Sequence, residues 1–213
     1  MSRFNSYAKK LEEMTFEAVN QIKDAEEKYR KATDDHQAMP IRSGFVEANY
    51  SIESQRRQLA YDEARQNLNA IRKDIPNRFE REAKELRKKL SDELYDYFAV
   101  KPDLLSPETM SLLNSGCLNV NDFDKLMKAA ISDNNITMIR MIASKAADIA
   151  KDTDKTDTRV FLKTIASKAD NYTPETYLNA FDSFISVSER CMKNTRLIDS
   201  WNQIGMPEVV KSF

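Results

Sequence analysis

From Phe4 onward, apolar or small residues recur as Phe4, Ala8, Leu11, Thr15, Ala18, Ile22, Ala25, Tyr29 and Ala32. The +4, +3 spacing holds without interruption over about four heptads, the stripe of a helix that packs lengthwise along another helix. Ala18, Ala25 and Ala32 share one heptad position, so a partner backbone can come close there. Tyr7, Met14 and Val19 widen the stripe into a face broader than one neighbour covers, which makes these three residues candidate contacts for a partner. The opposite side, with Lys9, Glu13, Glu17, Lys23, Glu27 and Lys31, reads as solvated surface.

The pattern stops in TDDHQAMPIRSGF (33–45), where Pro40 and Gly44 interrupt it and His36 is expected as a solvated loop residue. A second seam follows at Tyr61, Ala64, Leu68, Ile71 and Ile75, then slips by one position to Phe79, Ala83, Leu86, Leu90, Leu94 and Tyr97. The slip falls at Pro76, which lacks an amide donor and clashes with the carbonyl four residues back. Either the helix kinks there, or Asp74 or Ile75 caps a new helix with Pro76 in its first turn. The expectation is a kink or break that redirects residues 76–98 toward the second half. Residues 1–100 are thus predicted as a long antiparallel helical hairpin, coiled-coil-like in its packing.

Only 3 glycines and 6 prolines occur in 213 residues, so tight β-turns are nearly unavailable and an all-α fold is the economical reading. Beyond residue 100 the words shorten. SPETMSLLNSG offers Ser106 as an N-cap, Pro107 at the first helical position and Gly116 as the left-handed residue after the end. NDFDKLMKAAISD (capped by Asn121), ITMIRMIASKAADIAKD, TRVFLKTIASKADN and a second Pro-led helix from TPET complete residues 101–213 as a compact bundle of five or six short helices. Its expected core includes Leu112, Leu113, Phe123, Leu126, Met127, Ile139, Ile142, Phe161, Leu162, Ile165, Tyr177, Phe181, Phe184 and Ile185. The tail carries the single tryptophan, Trp201, and ends in Phe213; both are candidate partner contacts, with packing back onto the domain as the rival role.

Several functions are disfavoured by what the chain is made of. Its formal net charge is −1, too small to draw in a polyanion as a whole molecule. The most basic stretch, RFEREAKELRKKL (78–90), sets Arg78, Arg81, Lys84 and Lys88 along one side, where phosphate contacts are conceivable. Yet Glu80, Glu82 and Glu85 interleave, so a solvated face is the preferred reading and nucleic acid the lesser one. Two cysteines and one histidine cannot assemble a His/Cys metal site, and the expected state of Cys117 and Cys191 is buried and reduced. No phosphate loop, dinucleotide fingerprint, HExxH or GxSxG is present, so no catalytic, cofactor-binding or metal residue is assigned and enzyme activity is not expected. MSRFNSYAKKLEEM has no apolar core and no run approaches the ~20 residues that cross a bilayer, so neither secretion nor a membrane is expected and a cytoplasmic location is.

LLNSGCLNVNDFDKL (112–126) has the outline helix, glycine turn, helix that DNA readers share with plain helical corners. A reading helix presents Arg, Lys, Asn or Gln from its first turns, whereas Asp122 and Asp124 occupy that end here and would repel phosphates. A packing corner is the expectation. The longer run 112–146, with its leucine pair, Asn-Ser-Gly, Asp-Phe early in the next helix and Asn-x-Thr-Met before an apolar helix, resembles small all-helical accessory and structural proteins of tailed phages of Gram-positive bacteria. That resemblance implies a virion or capsid-associated structural or assembly component. Such a component works through contacts with itself as a homo-oligomer, or with another phage or host protein, in the host cytoplasm or the particle. An alternative is a phage-encoded inhibitor that binds a host defence complex such as a CRISPR effector, and a second is a nucleic-acid-associated helical protein.

Overall fold

The computed structural model describes residues 4–38 and 47–199, with side chains in the second stretch from residue 51. Among these residues the secondary structure is helical and includes no strand. The α-helices are α1 (Asn5–Gln37), α2 (Glu47–Tyr97), α3 (Pro107–Asn114), α4 (Val120–Ser132), α5 (Ile136–Asp152), α6 (Thr156–Ser167) and α7 (Pro174–Lys193). Short 3-10 turns occupy Pro102–Leu104 and Lys168–Tyr172. The all-α class with a long N-terminal helical pair followed by shorter helices is as the sequence predicts. The chain packs as two units, one of Met1–Lys88 with Ala180–Phe213 and one of Lys89–Asn179. These bounds differ from the 1–100 and 101–213 expected from sequence, because the chain from Ala180 onward packs with the hairpin helices.

In the first unit, every member of the α1 seam from Phe4 to Ala25 is buried, and Val19 beside it is fully so. Two neighbours account for that. Toward α2, Leu68, Ile75, Phe79, Ala83 and Leu86 face inward. Toward α7, Phe181, Phe184, Ser188, Cys191 and Met192 do. Each large apolar side chain withdrawn from water contributes about 1.5–3 kcal/mol, and this shared layer is the main favourable term of the unit.

The helix does not break at Pro76: α2 runs through it without interruption. A proline inside a helix removes one backbone hydrogen bond at a cost of roughly 3 kcal/mol. Ile75 and Phe79, buried on either side of it, offset that cost. The one-residue slip also has a helical solution. Ile75, Phe79, Ala83 and Leu86 follow a +4, +4, +3 rhythm, the 11-residue repeat of about 3.67 residues per turn, which an uninterrupted helix satisfies without a new start.

At the centre of the layer sit two fully buried hydroxyls, Thr15 and Ser188. Thr15 Oγ1 lies 2.8 Å from Ser188 Oγ and 2.7 Å from the carbonyl of Leu11, while Ser188 Oγ donates to the carbonyl of Phe184 at 3.0 Å. The pair closes a small polar circuit across α1 and α7 and sets their register, since a shift by one residue places a hydroxyl against hydrocarbon. His36, expected in a loop, lies instead in the last turn of α1, half-buried and stacked on Tyr61 with ring centroids 5.4 Å apart.

The second unit is organised by its helix ends. Ser106 caps α3 by accepting from the amide of Thr109, and Gly116 takes φ +71° just past the helix end, both as the sequence predicts. The N-cap of α4 is Asn119 rather than Asn121: its Oδ1 accepts from the amides of Asn121 and Asp122, and Asp122 Oδ2 accepts from the Asn119 amide. Asn121 has an acid at the same spacing, Asp124, but that carboxylate is paired with Lys128 and Lys168, whereas Asp122 is turned back to the Asn119 amide. Asn134 adopts φ 50°, a conformation asparagine tolerates, and Asn135 then caps α5 through the amide of Met138. α5 packs on α4 and α6, burying Leu113, Phe123, Met127, Ile139, Ile142, Leu162 and Ile165 as expected. Leu112 and Phe161 are exposed instead, and Leu126 and Tyr177 are half-buried. Of the residues expected in this core, Phe181 and Phe184 are buried and Ile185 half-buried in the hairpin unit.

Thr15→Val and Ser188→Ala are each expected to destabilise the chain by about 1 kcal/mol, because each leaves a buried hydroxyl with one partner fewer. The double variant should cost less than the sum, and a denaturation double-mutant cycle measures the difference. Strict additivity would show that the two hydroxyls do not act together.

Candidate functional site

Two of the four cations of the basic row on α2 stand beside the chain's own carboxylates. Arg78 donates to Gln21 Oε1 at 3.1 Å and stands 3.9 Å from Glu17. Lys84 pairs with Glu80, and its hydrogen bond holds the Glu80 carboxyl below the usual range. Arg81 and Lys88 are exposed, while Arg87 between them grips both oxygens of Asp182. Of the candidate partner contacts, Val19 is covered by the chain itself. Met14 is half-buried in a cleft of about 210 Å³ with Glu17, Ala18, Ile75, Arg78, Phe79 and Glu82, and Tyr7 is half-buried. Trp201 and Phe213 lie outside the described residues.

A carboxylate that the sequence does not single out joins three segments of this unit. Glu26 accepts from Arg72 at Oε1 and from the Thr195 hydroxyl at Oε2, each at 2.8 Å. Nearby, Lys23 holds Asp199 at 2.6 Å. One carboxylate therefore clamps α1 to α2 and to the chain just after α7, beside a cleft of about 350 Å³ lined by Glu26, Tyr29, Leu68, Arg72 and Lys193 to Arg196. Desolvation opposes the Glu26 charge, but the hydrogen bonds from Arg72 and Thr195, with the charges of Arg72 and Arg196, outweigh it and leave the carboxyl below its ordinary 4.5. No local sequence signal marks this role, because its partners stand 46 and 169 residues away.

In the second unit the corner between α3 and α4 is committed to structure. Asp122 is held in the capping box, and Asp124 pairs with Lys128 at 2.6 Å and Lys168 at 2.8 Å. Those two lysines hold the Asp124 carboxyl below its ordinary range against a smaller desolvation effect. Cys117 beside this corner is exposed, contrary to expectation. Cys191 in the first unit is buried, and burial pushes its thiol up.

Among the described residues no three His, Cys, Asp or Glu side chains converge as metal ligands, and no helix is long and apolar enough to cross a membrane. What the second unit does expose is hydrocarbon. On α6, Leu162 and Ile165 are each 1% exposed, yet Val160 is 59% and Phe161 41% exposed. A twelve-residue helix with apolar side chains on both its buried and its open side carries more hydrocarbon than its own unit covers. The run Val160-Phe161-Leu162 holds the sequence signal for this, since three successive residues cannot all face α5.

Two measurements bear on these sites. Glu26 carries its charge to lower pH in the folded chain than in the unfolded one, so its contribution is present above 4.5 and fades as pH falls through its folded value. Glu26→Gln should therefore lower the melting temperature at neutral pH and flatten the acid-side decline. A decline as steep as in the original chain would remove Glu26 from the linkage. A thiol reagent should label Cys117 rapidly and Cys191 only on unfolding.

The chain matches no protein-family model, no curated protein and no solved structure.

Proposed function

We propose that this chain is a non-enzymatic protein that works by binding other proteins, as a structural or assembly component of a phage particle, and that α6 carries a docking face. The supporting observation is the open pair Val160 and Phe161 on a helix whose other side is already committed to the core. Each is about half exposed, so inserting the two into a partner contributes roughly 1–1.5 kcal/mol per side chain, enough to matter in a repeated assembly contact. The resemblance of residues 112–146 to small helical phage proteins supplies the setting. The partner this reading prefers is a second copy of the chain, because assembly components repeat.

Light scattering on the purified chain at tens of micromolar is the test. The expected mass exceeds the 24.6 kDa of one chain. Val160→Ser with Phe161→Ser should shift the equilibrium toward the monomer by roughly 100-fold, with helicity unchanged. A strict monomer at that concentration would remove self-assembly. Co-purification of the monomer with a nuclease complex of the host would then favour the inhibitor reading.

A further inference from the structure

α2 carries a second heptad seam, exposed along its length. Ile52, Arg56, Leu59, Glu63, Gln66 and Ala70 follow a +4, +3 rhythm, and all six are exposed. Leu59 stands nine residues, two and a half turns, from the buried Leu68, so the two side chains leave opposite sides of the helix. Ile52 is 51% and Leu59 60% exposed, on one stripe and two turns apart. Arg56 and Glu63 lie on the same stripe and engage no other side chain among the described residues, while Arg57 beside them already holds Glu53 at 2.9 Å.

We propose that this seam pairs with the same seam of a second copy of the chain, antiparallel, about a two-fold axis beside Leu59. The charges select both the occupant and the direction. With Leu59 meeting Leu59 at the axis, Arg56 of each copy stands level with Glu63 of the other, and two ion pairs flank the apolar contact. Ile52 then falls between Gln66 and Ala70 of the second copy, where the small alanine leaves room for it. A parallel pair would set Arg56 on Arg56 and Glu63 on Glu63. The stripe is thus complementary to itself in one orientation, as an isologous contact requires. From Ile52 to Ala70 it is roughly 27 Å long and one helix, about 10 Å, wide. That falls short of the roughly 800 Å² per partner of a standard interface, so the pairing is weak and reversible, with a dissociation constant of about 0.1 mM. It shares no residue with the α6 face and does not rest on it.

Sedimentation equilibrium of the full chain at up to several hundred micromolar is the experiment. Arg56→Glu and Glu63→Arg should each weaken self-association by about tenfold or more, since each sets like charges opposite one another twice. An equimolar mixture of the two variants, and the chain carrying both substitutions, should associate as the original does. Leu59→Ser should weaken association by a similar factor, with helicity unchanged by circular dichroism. A monomer over the whole range, or association that neither reversal weakens, would overturn the proposal. Reversals that weaken association without recovery in the mixture would do the same. The chain with Val160→Ser and Phe161→Ser, run alongside, separates the two surfaces. Its remaining association should still respond to Arg56→Glu, and its complete loss would reject the α2 seam; insensitivity to the two serines would count against α6 alone.

Discussion

One helical face buried from two directions holds the hairpin unit together. α1 presents a stripe too broad for α2 alone, and α7 covers the remainder. The interior position of Val19, the closed circuit of Thr15 with Ser188 and the clamp at Glu26 all follow from that three-way contact. A two-helix hairpin would leave Thr15 and Val19 half in water. With a third helix, both become interior, and the Thr15 hydroxyl, which already reaches the Leu11 carbonyl of its own helix, meets a second polar partner in Ser188.

The second unit solves a different problem. Its helices are short, and short helices in water are marginal unless their ends are satisfied and one face is buried. The chain answers at each junction: a serine cap with proline behind it, a glycine at positive φ, a reciprocal asparagine–aspartate box, and an asparagine in the left-handed region before the next cap. Such punctuation stabilises the corners and engages their polar residues in caps. Hydrocarbon is left open on α6 at Val160 and Phe161, as it is on α3 at Leu112.

Cations on α2 are interleaved with acids in sequence and then engaged across helices, as Arg78 with Gln21 and Glu17 and Arg87 with Asp182 show. Exposed pairs of this kind are worth a few tenths of a kcal/mol to about 1 kcal/mol each, so their effect on stability is small.

How far the chain is legible without its fold depends on the range of the physics involved. Periodicity and end-capping are local: the α1 seam from Phe4 to Ala25, the turn at Gly116 and the cap at Ser106 were readable from neighbours within a few residues, and so was the all-α class. Pro76 was misjudged as a possible break because proline's cost is local while its compensation, the burial of Ile75 and Phe79, comes from other helices. The same limit hid the destination of the last helix, the clamp at Glu26 and the open side of α6. An amphipathic stripe states that a face must be buried, but not against what. Only the packed chain decided that α7 from Ala180 onward belongs to the hairpin unit and that Phe161 faces outward, since those choices rest on contacts between residues far apart in sequence.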